Sequence, residues 1–168
     1  MNENELKTQR SNFTVCLLED NPSENTQRMI NGITDLLSIV GYKTRYAPTP
    51  SELLTDPPSN LPDLVILFNG YNELIELRID ENTEHLPIIL FSGHSEFREI
   101  FSRTHYHFDA LVTVPFSSAE LVKLVDDFLV HSHKMSIAFR KFFAIIQSQN
   151  DRIIKLEKQI ADLRGADT

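Results

Sequence analysis

The sequence predicts an α/β fold: a doubly wound parallel sheet of five strands with helices on both faces, followed by a long C-terminal α-helix that forms a coiled coil. Two observations predict it. Between residues 13 and 132, short apolar runs alternate five times with helix-like stretches, as in a parallel sheet joined by crossover helices. Between residues 133 and 164, apolar residues recur with a seven-residue repeat, which is typical of a coiled coil.

The five predicted strands are the apolar runs 13–18, 42–47, 62–68, 86–91 and 110–114. The first and third are apolar almost throughout, as expected of strands buried on both faces. The second is more polar, which favours a position near the sheet edge. Helices are predicted after Ser23 or Asn21 as far as Gly41, and then at 51–54, 73–79, 96–103 and 118–129.

Composition excludes several function classes. The chain has 168 residues and a net charge of −8, and no cluster of Lys and Arg is available to neutralise nucleic-acid phosphates. No apolar stretch is long enough to span a membrane. Residues 1–12 are polar, so we expect a flexible N-terminus without a signal peptide and a cytoplasmic location. The single cysteine, Cys16, excludes an internal disulfide and is expected to be a core residue.

Candidate site residues are those at the carboxyl ends of the predicted strands, because functional sites of open parallel sheets lie there. They are Glu19, Asp20, Phe68, Asn69, Ser92 and Val114.

Several motifs, in order, make the chain similar to the receiver domains of response regulators in two-component phosphorelay signal transduction. Glu19 and Asp20 resemble the acidic pair that holds Mg²⁺ after the first strand of that family. Ser92 stands at the hydroxyl position, and Pro115 is similar to the proline that follows the family's lysine. The similar motifs are 18–21, 41–54, 62–67, 86–93 and 109–116. The resemblance covers 13–132 and implies the CheY-like, flavodoxin-like (βα)5 fold.

Two departures remove the chemistry that defines this family. Phe68 stands where the family has its phospho-accepting aspartate, and Val114 stands where it has its lysine. A phenyl ring offers neither a nucleophile nor an oxygen ligand for Mg²⁺. We therefore predict a degenerate pseudo-receiver that works without phosphorylation and has no cofactor, with Phe68 and Val114 filling a dry pocket. No residue set predicts an enzyme.

Other interpretations stay open for this edge of the sheet. Glu19 and Asp20 could stabilise the next helix through its dipole, or bind Mg²⁺ weakly and support phosphorylation of a non-standard carboxylate. A register slip of one residue would bring Asn69 to the acceptor position. A flavodoxin-like domain that binds a small ligand is a further alternative, against which the lack of a glycine-rich loop counts. Zinc is not expected, because the paired histidines have no third ligand nearby.

The C-terminal helix is predicted to join two copies of the chain. Isoleucine at a positions with leucine at d positions favours two parallel strands, and the polar d residue Gln149 could fix their register. The stretch 137–146 is apolar over a wider face and could also pack on the domain. We expect a homodimer, a frayed tail at 165–168, and a connection to any output domain. The predicted dimer interface is Phe139, Phe142, Ile146, Gln149, Ile153, Leu156, Ile160 and Leu163.

Overall fold

The computed structural model of the chain describes residues 2–68, 70–92 and 108–131. Within them, helices lie between the first four strands and after the fifth, as the apolar pattern predicts. The elements are α1 (Glu3–Arg10), β1 (Thr14–Leu18), α2 (Glu24–Val40), β2 (Lys43–Ala47), α3 (Pro50–Leu54), a 3-10 turn (Pro58–Asn60), β3 (Leu64–Phe68), α4 (Tyr71–Ile79), β4 (Ile88–Ser92), β5 (Ala110–Thr113) and α5 (Ser118–Leu129).

The five strands form one parallel sheet in the order β2-β1-β3-β4-β5. This order confirms the predicted doubly wound parallel sheet, and it places the more polar β2 at an edge. Register brings Leu18 beside Leu67, Phe68 beside Phe91, and Ser92 beside Thr113. The carboxyl ends of the strands therefore lie side by side. The residues that follow the strands come together there, at what we call the carboxyl edge of the sheet.

The core has two layers, one on each face of the sheet. One layer packs the sheet against α2 and α5 and includes Ile33, Leu37, Leu121 and Val125. The other includes residues of α3 and α4, among them Leu53 and Leu74. Cys16 lies in this second layer and is fully buried, as expected of a core cysteine.

Local sequence signals explain the ends of α2. Ser23 caps its first turn, because its Oγ accepts a hydrogen bond from the backbone N–H of Thr26 at 3.1 Å. Gly41 ends it with φ of +113°, a left-handed conformation that L residues with a side chain rarely adopt. Both signals were predicted, with Asn21 as the alternative cap. The helix predicted at 96–103 lies outside the described residues.

The N-terminal segment differs from its prediction. The sequence predicts flexibility over 1–12, whereas residues Glu3–Arg10 form helix α1. Asn2 and Glu5 form a reciprocal capping box at its start. Arg10 is buried at its end and pairs with Asp126, 116 residues away. The sequence of this segment has no apolar stripe, and the partner of Arg10 is distant in the chain. The attachment of α1 could therefore not be predicted from the sequence pattern.

One compact unit spans Met1–Val130. The predicted helix at 133–164, the tail at 165–168 and the whole predicted dimer interface lie outside the described residues. None of the described helices is long and apolar enough to cross a membrane.

Candidate functional site

The carboxyl edge of the sheet carries the predicted site residues. Glu19 directly follows β1, and Phe68 and Ser92 are the last residues of β3 and β4. Val114 directly follows β5 and is joined to Pro115 by a cis peptide bond. Asn69, the alternative acceptor-position residue, lies outside the described residues.

Phe68 is enclosed in the protein interior. Its side chain is 1% exposed and belongs to the layer of the core that packs on α2 and α5. Its ring lies 5.1 Å from the ring of Phe91, centroid to centroid, at an interplanar angle of 36°. Phe91 in turn meets Phe116 edge-on at 5.1 Å. The end of β3 is therefore anchored by an aromatic stack of Phe68, Phe91 and Phe116, and this strand end presents no nucleophile.

Val114 does not join Phe68 in the interior. Its side chain is 40% exposed, and its backbone N–H donates to the carbonyl of Ser92 at 3.4 Å. The expectation that Phe68 and Val114 fill one dry pocket together therefore fails for Val114. The reason is its position, since β5 ends at Thr113 and the chain then leaves the sheet at Pro115.

The two acidic residues that follow β1 differ in exposure. Asp20 is exposed and accepts a hydrogen bond from the Asn21 side-chain amide at 2.7 Å, while Glu19 is half-buried. The carbonyl of Glu19 accepts from the hydroxyl of Tyr46 at 2.9 Å. Partial burial, and then the negative charges of Glu19, Asp20 and Glu52, raise the pKa of Tyr46. The edge at β1 and β2 thus keeps an acidic character.

These carboxylates do not make up the donor set of a receiver's magnesium site. Mg²⁺ prefers octahedral oxygen ligands, and the family resemblance implies a third carboxylate at position 68. Phe68 supplies a buried ring instead. Among residues 2–68, 70–92 and 108–131, no group of three or more His, Cys, Asp or Glu side chains is placed to hold a metal ion.

Three residues of this edge were missed by sequence reasoning. Phe91 and Phe116 complete the aromatic stack with Phe68, and Tyr46 ties β2 to Glu19. Phe91 and Phe116 lie within the motifs that carry the resemblance. The aromatic residues at or near the ends of the predicted strands were a signal for this contact, but periodicity does not give the strand order that brings them together.

Comparison with solved structures identifies the fold. The described architecture is similar to the receiver domain of a sensor histidine kinase from Pseudomonas aeruginosa, which was crystallised with a magnesium ion coordinated in its active-site cleft; the TM-score is 0.55 at 20% identity, over 70% of this chain and 97% of that one. It is also similar to a signal receiver domain of a histidine kinase from Syntrophus aciditrophicus, with a TM-score of 0.59 at 20% identity, over 73% and 93% of the two chains.

A response-regulator receiver domain from Clostridium thermocellum gives a TM-score of 0.58 at 17% identity, over 72% of this chain and 97% of that one. No protein-family model and no curated protein sequence matches the chain. This chain has the receiver fold. The fold agrees with the sequence resemblance, and at such low identity it carries no information on activity.

Proposed function

We propose that the protein is an atypical response-regulator receiver that signals without phosphorylation, as a protein-interaction and dimerisation module in the cytoplasm. The observation that carries this proposal is the buried ring of Phe68 at the end of β3, in a receiver fold. In this proposal the protein has no catalytic activity and needs no cofactor.

Phosphorylation of a receiver needs an accessible carboxylate and cations that neutralise the incoming phosphoryl group. Phe68 has neither the oxygen nor the exposure. Val114, at the position of the family's lysine, is exposed and uncharged, so it cannot pair with a phosphoryl oxygen. The two changes act on different parts of the same chemistry, and either alone would weaken it.

Dimerisation is proposed from the heptad pattern of residues 133–164, with the interface residues given above. The resemblance also implies contacts with other signalling proteins through residues 95–114. This range corresponds to the fourth helix and fifth strand of the family, and that helix is not α4 of this chain. In a longer protein, the C-terminal helix would connect the receiver unit to an output domain. Direct contact with nucleic acid or membrane is not part of the proposal, because the net charge is −8.

A competing function is a receiver that is phosphorylated on a non-standard carboxylate. It is favoured by one observation, the exposure of Asp20 beside Glu19 at the edge of the sheet where such chemistry would occur. It needs Mg²⁺ bound by these two residues with water and a phosphoryl oxygen as the other ligands.

The deciding experiment is incubation of the full chain with Mg²⁺ and acetyl phosphate, followed by intact mass measurement, with an active receiver treated in parallel as a positive control. We expect no phosphoryl adduct on this chain. A hydroxylamine-labile adduct would identify an acyl phosphate and replace our proposal by the competing one. Loss of this adduct in the Asp20→Asn variant would show that phosphorylation requires Asp20. Light absorption by a co-purified compound would instead point to a flavodoxin-like ligand-binding domain.

A further inference from the structure

Arg10, Tyr42 and Asp126 form a buried polar cluster at the opposite end of α1 from its cap; we name it the terminal clamp. Arg10 donates to Asp126 twice, from Nε to Oδ1 at 2.8 Å and from Nη2 to Oδ2 at 2.6 Å. The Tyr42 hydroxyl donates to the same Oδ1 at 2.6 Å. The third arm of the guanidinium, Nη1, donates to the carbonyl of Val40 at 3.2 Å. Both charged side chains are about nine-tenths buried.

The terminal clamp joins elements that the sheet does not join. Arg10 ends α1, Val40 ends α2, and Tyr42 directly precedes β2. Asp126 lies in the last turn of α5, where its own carbonyl accepts a hydrogen bond from the backbone N–H of Val130 at 2.8 Å. The side chain that binds α1 therefore belongs to a residue of the last hydrogen-bonded turn of α5.

Close packing adds to this attachment. A Cβ atom at Gly41 would lie 2.7 Å from Cγ of Lys7 and 3.0 Å from the Lys7 carbonyl oxygen, so α1 lies directly on the turn that ends α2. Replacing Gly41 would therefore disturb both α1 and the left-handed turn.

The attachment of α1 is nevertheless mainly polar. Arg10 is its single buried residue and Leu6 is half-buried, while the rest of the helix is exposed. Hydrogen bonding to Asp126 raises the pKa of Arg10, and burial raises the pKa of Tyr42, so both groups stay protonated donors at neutral pH. Burying an ion pair gives little net stability, because desolvation offsets the attraction, but removing one partner is costly. The attachment of α1 therefore depends on this one contact, because little apolar surface of the helix is buried beside it.

We propose that α1 is a releasable strap whose attachment through the terminal clamp is coupled to the order of the last turn of α5. In this proposal, release of α1 takes the cation away from Asp126 and loosens the helix end that directly precedes residues 131–168. By reciprocity, a partner that orders the end of α5 favours attachment of α1, and one that captures α1 loosens the end of α5. An effect of this coupling on dimerisation through residues 133–164 rests on the function proposed above.

Hydrogen exchange of the full chain, read by mass spectrometry, tests the coupling. The test variant is Arg10→Met, which keeps the length and apolar stem of the side chain but removes its charge. The matched control is Arg28→Met, which removes an exposed pair with Glu24. In Arg10→Met we expect peptides of α1 and of residues 126–131 to exchange at least about tenfold faster, with β3 unchanged. Arg28→Met should leave all three as in the parent protein.

Faster exchange in α1 alone, with the end of α5 as protected as before, would overturn the proposal. If Arg10→Met exposes β3 as well, Tyr42→Phe gives the same readout after loss of a single hydrogen bond to Asp126. Sedimentation of the same samples separates the two proposals. A parent protein that stays monomeric contradicts dimerisation, whereas an unchanged dimer with coupled exchange keeps the strap and removes its link to dimerisation.

Discussion

The rings of Phe68 and Phe91 lie side by side on adjacent parallel strands, with centroids 5.1 Å apart and a tilt of 36°. Each side chain is 1% exposed. Because residues in register on neighbouring strands point to the same face, both rings enter one layer of the core. Phe116 extends the stack to the segment before α5. The end of β3 is thus closely packed, and an aspartate at position 68 would disrupt this packing.

The first prediction concerns Phe68→Asp. This substitution removes a buried ring and places a carboxylate in an apolar layer, so we expect it to lower the free energy of unfolding by at least about 3 kcal/mol. Urea unfolding followed by circular dichroism measures the loss. We also expect no phosphoryl adduct from acetyl phosphate, because this variant keeps the uncharged Val114 and has no lysine there to pair with a phosphoryl group.

Two matched variants control for this result. Phe68→Leu keeps the site apolar and should cost clearly less than Phe68→Asp, about 1–2 kcal/mol. Val114→Lys changes a side chain that is 40% exposed and should stay within about 0.5 kcal/mol of the parent. If Phe68→Asp unfolds at the same urea concentration as the parent, the ring does not contribute to the core as described.

The second prediction concerns Mg²⁺. A ligand that binds the folded state stabilises it in proportion to the logarithm of ligand concentration over Kd. Glu19 and Asp20 lack a third carboxylate at position 68, so we expect roughly 10 mM MgCl₂ to raise Tm by no more than NaCl of equal ionic strength does. A rise specific to Mg²⁺ that is lost in Asp20→Asn would show that the acidic pair still binds the metal.

The third prediction follows from the burial of Cys16. Burial raises the pKa of its thiol from the ordinary value of 9.0 to about 12. The folded state therefore keeps a proton that the unfolded state loses. The stability from this group is complete below pH 9 and declines as pH rises toward 12, by about 1 kcal/mol at pH 10.

Comparison of the parent with Cys16→Ala isolates this term from the titration of lysines and tyrosines. Cys16→Ala should start less stable at pH 8, because it leaves a small cavity in the core, and should lose less stability between pH 8 and pH 10. Urea midpoints at both pH values give the two slopes. Parallel slopes would mean that the thiol titrates alike in the folded and unfolded states.

The sequence predicted the sheet and its helices well, for a physical reason. Strands β1, β3 and β4 are buried on both faces, so each reads as an unbroken apolar run between polar turns. Helix α5 has a capping box at Ser117 and an apolar stripe, and its observed bounds, Ser118–Leu129, are those predicted. Signals of this kind are local, so periodicity and capping suffice to find them.

What could not be predicted depends on contacts between distant parts of the chain. Arg10 and Asp126 both occupy polar positions in helical sequences, and periodicity assigns such positions to solvent. The exposure of Val114 depends on where β5 ends and on the course of the chain at Pro115. The resemblance singled out Phe68 and Val114, which lie at the carboxyl ends of β3 and β5, but it could not show which of the two side chains would be buried.

The fourth prediction concerns dimerisation, which the heptad of residues 133–164 predicts. A chain that ends at Lys134 keeps the compact unit Met1–Val130 but lacks every a and d residue proposed for the interface. We expect this truncated chain to be a folded monomer and the full chain to be a dimer, as measured by sedimentation velocity across a concentration series.

A point variant distinguishes a coiled coil from other roles of the same segment. Ile153→Lys places a charge at a central a position, where two parallel helices would bring two lysines together, so it should weaken the full-length dimer by at least about tenfold. Lys158→Glu, at an f position on the opposite face, should leave the dimer unchanged and serves as the control. If the truncated chain still forms dimers, the interface lies within residues 1–134, because this chain lacks the a and d residues of the heptads.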